Sequence, residues 1–136
     1  MKKSSLQNIA GWTLFGLGCC HQLVHLMFVF NSNKPQLFHD MVAFKIDFIG
    51  EHSMEEFHSG FSLMTGFGLM ILGLVIAFLS KVEVPRKVNV LIVISLLTII
   101  ATSVTYFHAL AYGVSILVLI LYILSLKSKS DLKAFA

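Results

Sequence analysis

The sequence predicts an all-α fold, an integral membrane bundle of four helices. Hydrophobic residues make up 57% of the 136 residues and charged residues only 12%, about half the charged share of a soluble domain. Long apolar runs recur along the chain, and a membrane span needs about 20 mostly apolar residues. We therefore expect residues 1–136 to form a single transmembrane domain with the lipid bilayer as its main surroundings.

Four apolar runs define the predicted spans. They cover residues 8–30, 57–80, 88–107 and 109–126. The fourth run is the shortest, and at about 1.5 Å per residue it reaches roughly 27 Å, just enough to cross. Two lysines precede the first run, as in a signal peptide. We interpret this run as a retained first helix.

The basic residues predict the orientation of the spans. Of the ten Lys and Arg residues, only Lys34 and Lys45 fall on one side of the predicted membrane. Because cytoplasmic loops collect Lys and Arg, we expect both termini in the cytoplasm and the protein in a bacterial inner membrane. The basic residues are scattered along the membrane boundaries, so the net charge of +3 indicates topology and excludes a nucleic-acid-binding face.

A long outer loop, residues 31–56, connects the first two spans. Between Leu37 and Ile49, apolar residues three and four apart fit one face of a helix in the membrane interface. Apolar residues two apart between Phe44 and Phe48 fit a strand equally well. We favour a short amphipathic helix that ends at Gly50.

Local sequence also predicts where the second span begins and how the first two spans pack. The run from Ser53 to Glu56 has the form of a capping box, which marks the start of a helix. Small residues let helices approach closely in lipid, and both spans carry them at near-helical spacing: Gly11, Gly16 and Gly18 in the first, and Ser59, Ser62, Gly66, Gly68, Gly73 and Ala77 in the second. We expect these two spans to pack against each other.

All six histidines fall on the predicted outer half of the protein. His21 lies about 20 Å into an apolar core roughly 30 Å thick, and His25 is one turn nearer the outer surface. The spans were assigned from apolar runs and basic residues, so the one-sided histidines are an independent observation. An ionisable residue inside a membrane is costly and indicates a functional site by default.

The spacing of histidines and carboxylates predicts a metal site. His21 and His25 are four residues apart and share a helix face. Glu55 and His58 have the Glu-x-x-His spacing with which carboxylate bundles hold metal. We expect these four side chains as ligands, with His108 completing or supporting the set. Zinc or iron fits best, and copper or manganese suits the same donors.

The leading functional hypothesis is a membrane metalloprotein whose site faces the outer side. As an enzyme it would act on a lipid-soluble, amphiphilic substrate, with Glu51 or Glu55 as the catalytic base and Glu56 as a further candidate. Iron would favour oxidation and zinc hydrolysis. The sequence leaves open whether the protein is an enzyme.

Two alternatives to this hypothesis stay open. Haem iron is held by histidines on facing helices, so His21 or His25 with His58 or His108 would suit a bis-histidine haem protein. A non-enzymatic accessory or transport subunit is the second alternative, although few polar residues line the inner half of the spans, which disfavours a channel within one chain. We also expect a homo-oligomer or a place beside a partner subunit.

Adjacent cysteines, Cys19 and Cys20, lie in the first span. On a helix their side chains point about 100° apart, and a bridge between them would break the helix. We expect them to pack as small core residues, with ligation of Cu(I) as the alternative. The sequence contains no GxSxG, HExxH or CxxC motif.

The run HSGFSLMTGFGLMILGL, residues 58–74, follows an apolar first span with histidines near its outer end. In these features the chain resembles a group of small bacterial integral membrane proteins with four spans. The resemblance implies the fold and brings no activity with it.

Overall fold

The computed structural model of the protein describes residues 3–31, 34–47, 50–106 and 109–134. Within them the backbone forms five helices and one antiparallel pair of short strands. The elements are α1 (Lys3–Val29), α2 (Gln36–Ala43), β1 (Lys45–Asp47), β2 (Glu51–Ser53), α3 (Met54–Leu79), α4 (Arg86–Tyr106) and α5 (Ala109–Ala134). The prediction of a helical protein is confirmed, and the strand pair is an addition to it.

Three of the described helices are long and apolar enough to cross a membrane. The qualifying segments are Ser5–Val29 in α1, Met54–Leu79 in α3 and Arg86–Thr105 in α4. The apolar segment of α5, Ala111–Lys127, is shorter. Helix length and composition therefore support three spans, while the fourth span and the orientation stay predictions.

The chain divides into two compact units. Unit 1 comprises Met1–Leu17 and Leu69–Ala136, and unit 2 comprises Gly18–Gly68. The buried core described below belongs to unit 1, and the histidines of α1 belong to unit 2.

In unit 1, α1 and α3 run antiparallel with their backbones in contact. Gln7 Nε2 donates a hydrogen bond to the carbonyl oxygen of Ile76 at 3.4 Å. Further along α1, a methyl group built on Gly73 would lie 2.9 Å from Cα of Phe15. A methyl group on Gly11 would in turn lie 2.6 Å from the carbonyl oxygen of Gly73. These distances leave no room for a side chain, so the predicted packing of α1 against α3 is confirmed at Gly11 and Gly73. A methyl group built on Gly16 or Gly68, in contrast, would meet no described atom of another helix within 4 Å.

The helices α4 and α5 complete the core of unit 1. Their fully buried residues include Leu96, Val118 and Tyr122. The Tyr122 hydroxyl donates a hydrogen bond to Oδ1 of Asn89 at 2.8 Å, and this bond joins the two helices across the apolar core. A buried polar group needs such a partner, because an unpaired one costs free energy.

The outer loop contains both of its predicted patterns, one after the other. α2 buries Phe38, whose ring meets that of Phe28 edge to face at 4.9 Å, and Lys34 Nζ lies 4.5 Å above the Phe38 ring. The helix predicted to reach Gly50 ends at Ala43, where strand alternation takes over. Gly50 has a φ of 110° in the connection between β1 and β2, a conformation that glycine adopts most readily.

Candidate functional site

In unit 2 the histidine-bearing part of α1 contacts α3. His21 Nε2 lies 3.1 Å from both the carbonyl oxygen and the hydroxyl oxygen of Ser62. Gln22 Nε2 donates a hydrogen bond to the carbonyl oxygen of Leu63 at 2.7 Å. The Gln22 side chain also occupies the space in which a Cβ atom on Gly66 would stand. We call these five residues the α1–α3 seam.

His25 lies one helical turn beyond His21 on α1 and is buried, with 7% of its surface exposed. Residues four apart share a face of a helix, so His25 follows His21 along the face that meets α3. Because the two helices are antiparallel, one turn forward from His21 corresponds to one turn back from Ser62. From this register we expect His25 to lie near His58 and Ser59 of α3.

Glu55 lies in the first turn of α3 and is half-buried. Its Oε1 accepts a hydrogen bond from the Ser59 hydroxyl at 2.8 Å. Glu55, Ser59 and Ser62 are four and three residues apart, a spacing that aligns them along one side of the helix. The carboxylate therefore lies on the side of α3 that contacts His21 at Ser62.

The start of α3 carries the predicted capping box. The Ser53 backbone N–H donates to Glu56 Oε2 at 2.8 Å, and the Glu56 backbone N–H donates to the Ser53 hydroxyl oxygen at 3.1 Å. These reciprocal bonds satisfy two backbone donors that a helix start leaves unpaired, so the capping-box prediction is confirmed. His52 Nδ1 lies 3.7 Å from the same Glu56 oxygen.

An open groove lies beside the first turns of α3. Its volume is about 290 Å³, and it is lined by His52, Glu56, Phe57, Gly60, Phe61 and Met64. The ring of Phe57 lies 6.2 Å from that of His52 and 6.1 Å from that of Phe61, measured between centroids. Gly60 gives the groove depth, because it has no side chain and a Cβ atom built there would meet nothing within 4 Å beyond its chain neighbours and its own helix turns. The groove is apolar along most of its length and polar at the end formed by His52 and Glu56. We call it the α3 groove.

The described residues do not bring the full predicted ligand set together. Among them, no three His, Cys, Asp or Glu side chains lie close enough to hold a metal ion. His58 is exposed on α3, and Glu51 is exposed on β2. His108 lies outside the described residues. The metal ligands, the catalytic carboxylates and the haem alternative therefore stay predictions.

Two features of unit 2 differ from what the residue types predict. Cys19 is half-buried but Cys20 is exposed, so core packing does not describe Cys20. Gln22 takes part in the seam although its role was not predicted from the sequence. A signal for it is present, because an amide in an apolar span needs a hydrogen-bond partner, and Gly66 on α3 provides the space for its side chain.

Comparison with known proteins gives no family. The chain matches no protein-family model, no curated protein and no solved structure. The seam and the α3 groove are therefore the observations on which a function rests.

Proposed function

We propose that the protein is an integral membrane protein that binds a transition metal ion beside the α1–α3 seam, on the outer side of a bacterial inner membrane. The observation that carries this proposal is the buried His25, which follows His21 along the face of α1 that meets α3. Burying an ionisable side chain in an apolar helix costs free energy, and such residues mark functional sites by default.

The proposed ligands come from both helices. His21 and His25 supply imidazole nitrogens from α1, and Glu55 supplies a carboxylate from the facing side of α3. Nitrogen and oxygen donors in this combination suit zinc or iron. Coordination would bring these three side chains closer together than they now lie and would replace the present hydroxyl contacts of His21 and Glu55. His58 and His108 are the proposed sources of a fourth ligand.

The membrane orientation is part of the same proposal. Three long apolar helices and the shorter apolar segment of α5 are the basis for four spans with both termini in the cytoplasm. In an enzymatic role Glu55 would serve as the base instead of as a ligand, because it lies on α3 beside the seam whereas Glu51 lies on β2. His58 or His108 would then take its place in the ligand set. A substrate that reaches this depth of the bilayer would be lipid-soluble.

Metal analysis of the purified protein in detergent tests the proposal. Inductively coupled plasma mass spectrometry should find close to one zinc or iron per chain, after reconstitution with each metal if needed. His25→Ala and His21→Ala should lose most of this metal. His39→Ala is the matched control, because His39 is an exposed histidine on α2, and this variant should keep the metal.

Two results would contradict metal binding at the seam. The first is a wild-type chain that takes up none of zinc, iron, copper or manganese. The second is loss of metal from the His39 variant that equals the loss from the His25 variant. Circular dichroism of each variant separates loss of metal from loss of the fold.

A further inference from the structure

We propose that the α3 groove binds a phospholipid whose headgroup ends in a primary ammonium, as in phosphatidylethanolamine. This inference rests on the membrane placement proposed above and is independent of the metal site. It uses the α3 groove, in which an apolar surface continues into a pair of polar side chains.

The apolar length of the groove suits an acyl chain. Phe61 and Met64 are 64% and 71% exposed, and both lie on a helix that is long enough to cross a membrane. Large apolar side chains on such a helix are covered by lipid. Gly60 leaves a hollow between Phe57 and Phe61.

The polar end of the groove suits an ammonium group. Glu56 is well exposed, with 59% of its side chain accessible, and it carries a negative charge next to the groove. On the strand pair that precedes Glu56, Asp47 and Glu51 add two negative charges and Lys45 adds one positive charge. An anionic headgroup would be repelled here.

The ammonium also fits better than a choline headgroup. A primary ammonium has three N–H donors for carboxylate oxygens, and a quaternary amine has none. His52 lies beside Glu56 at the same end of the groove. Its imidazole supplies a donor for the lipid phosphate.

Native mass spectrometry tests this site directly. The detergent-solubilised protein is mixed with equal amounts of phosphatidylethanolamine, phosphatidylglycerol and phosphatidylcholine that carry identical acyl chains. The wild type should retain the ethanolamine lipid with a preference of about fivefold, the scale of one exposed charge pair.

Two variants test the headgroup site and the acyl-chain site separately. Glu56→Gln removes the charge but keeps the capping hydrogen bond, because a glutamine side chain also accepts from the Ser53 N–H. It should lose the preference among headgroups. Gly60→Leu fills the hollow and should lose bound lipid. Gly68→Leu is its control, since Gly68 lies on the same helix with equally open space around it.

Three results would overturn the proposal: equal retention of the three lipids by the wild type, an unchanged preference in the glutamine variant, and equal lipid loss from the two leucine variants. The last would mean that any leucine on this helix surface displaces lipid. Metal content measured on the same samples keeps the two proposals apart, because loss of metal with retained ethanolamine lipid counts against the metal site alone.

Discussion

Replacing Gly73 with alanine tests the backbone contact between α1 and α3 in unit 1. The added methyl group would lie 2.5 Å from the Phe15 backbone nitrogen, 2.7 Å from the Gly11 carbonyl oxygen and 2.9 Å from Cα of Phe15. Carbon atoms pack best at about 3.5–4.0 Å. All three neighbours are backbone atoms, so relief requires movement of a whole helix.

The expected destabilisation follows from two opposing terms. Forcing an extra methyl group into a packed contact costs about 1–3 kcal/mol, whereas alanine in place of a helical glycine gains about 1 kcal/mol. Gly68→Ala should gain the helix propensity of alanine without a clash, because no atom outside its own helix turn lies within 4 Å of its added methyl group. The difference between the two variants should therefore isolate the clash, at about 1–3 kcal/mol.

Thermal unfolding in detergent, followed by circular dichroism, measures this difference. Gly73→Ala should unfold at a lower temperature than Gly68→Ala, and the latter should match or exceed the wild type. Equal unfolding temperatures for the two alanine variants would refute the close approach of α1 and α3 at Gly73.

Three further predictions concern the helix cap, the buried hydrogen bond and the topology. Glu56→Ala removes one half of the capping box, a hydrogen bond from the Ser53 N–H, and should lower the free energy of unfolding by about 1 kcal/mol, whereas Glu56→Gln should cost less; chemical denaturation checks both, and equal losses would contradict the cap. Tyr122→Phe leaves Asn89 Oδ1 without its donor and should cost about 1 kcal/mol in the same assay. Because Asn89 Nδ2 also donates to the Val84 carbonyl oxygen, the double variant with Asn89→Leu should lose less than the sum of the two single losses, and a fully additive loss would argue against the bond. A green fluorescent protein fused to the C-terminus should fluoresce while alkaline phosphatase fused there stays inactive, and the reverse pattern would disprove a cytoplasmic C-terminus.

The features that sequence predicts well are local. Apolar runs locate the long helices because a helix in lipid must satisfy its backbone hydrogen bonds internally. The capping box can be predicted because its two hydrogen bonds join Ser53 and Glu56, which are only three residues apart in the sequence. The outer loop shows the limit of this approach. Its helix period and strand period are both real, and the sequence does not say that the change comes after Ala43.

The candidate site depends on long-range register, which sequence spacing does not contain. The sequence predicts that His21 and His25 share one helix face, but it does not predict that His21 contacts Ser62, 41 residues away. That contact depends on the register of α1 against α3. Other close contacts, such as that between Gln22 and Gly66, also depend on this register. Small residues indicated that the two helices meet, but not at which residues.

The contact between Gln22 and Gly66 has an evolutionary consequence. The Gln22 side chain fills the volume that any residue larger than glycine would need at position 66. A larger residue at position 66 would therefore require the Gln22 side chain to move away and to give up its hydrogen bond to the Leu63 carbonyl oxygen. In sequences that diverge from this one, a larger residue at position 66 should occur with a shorter residue at position 22.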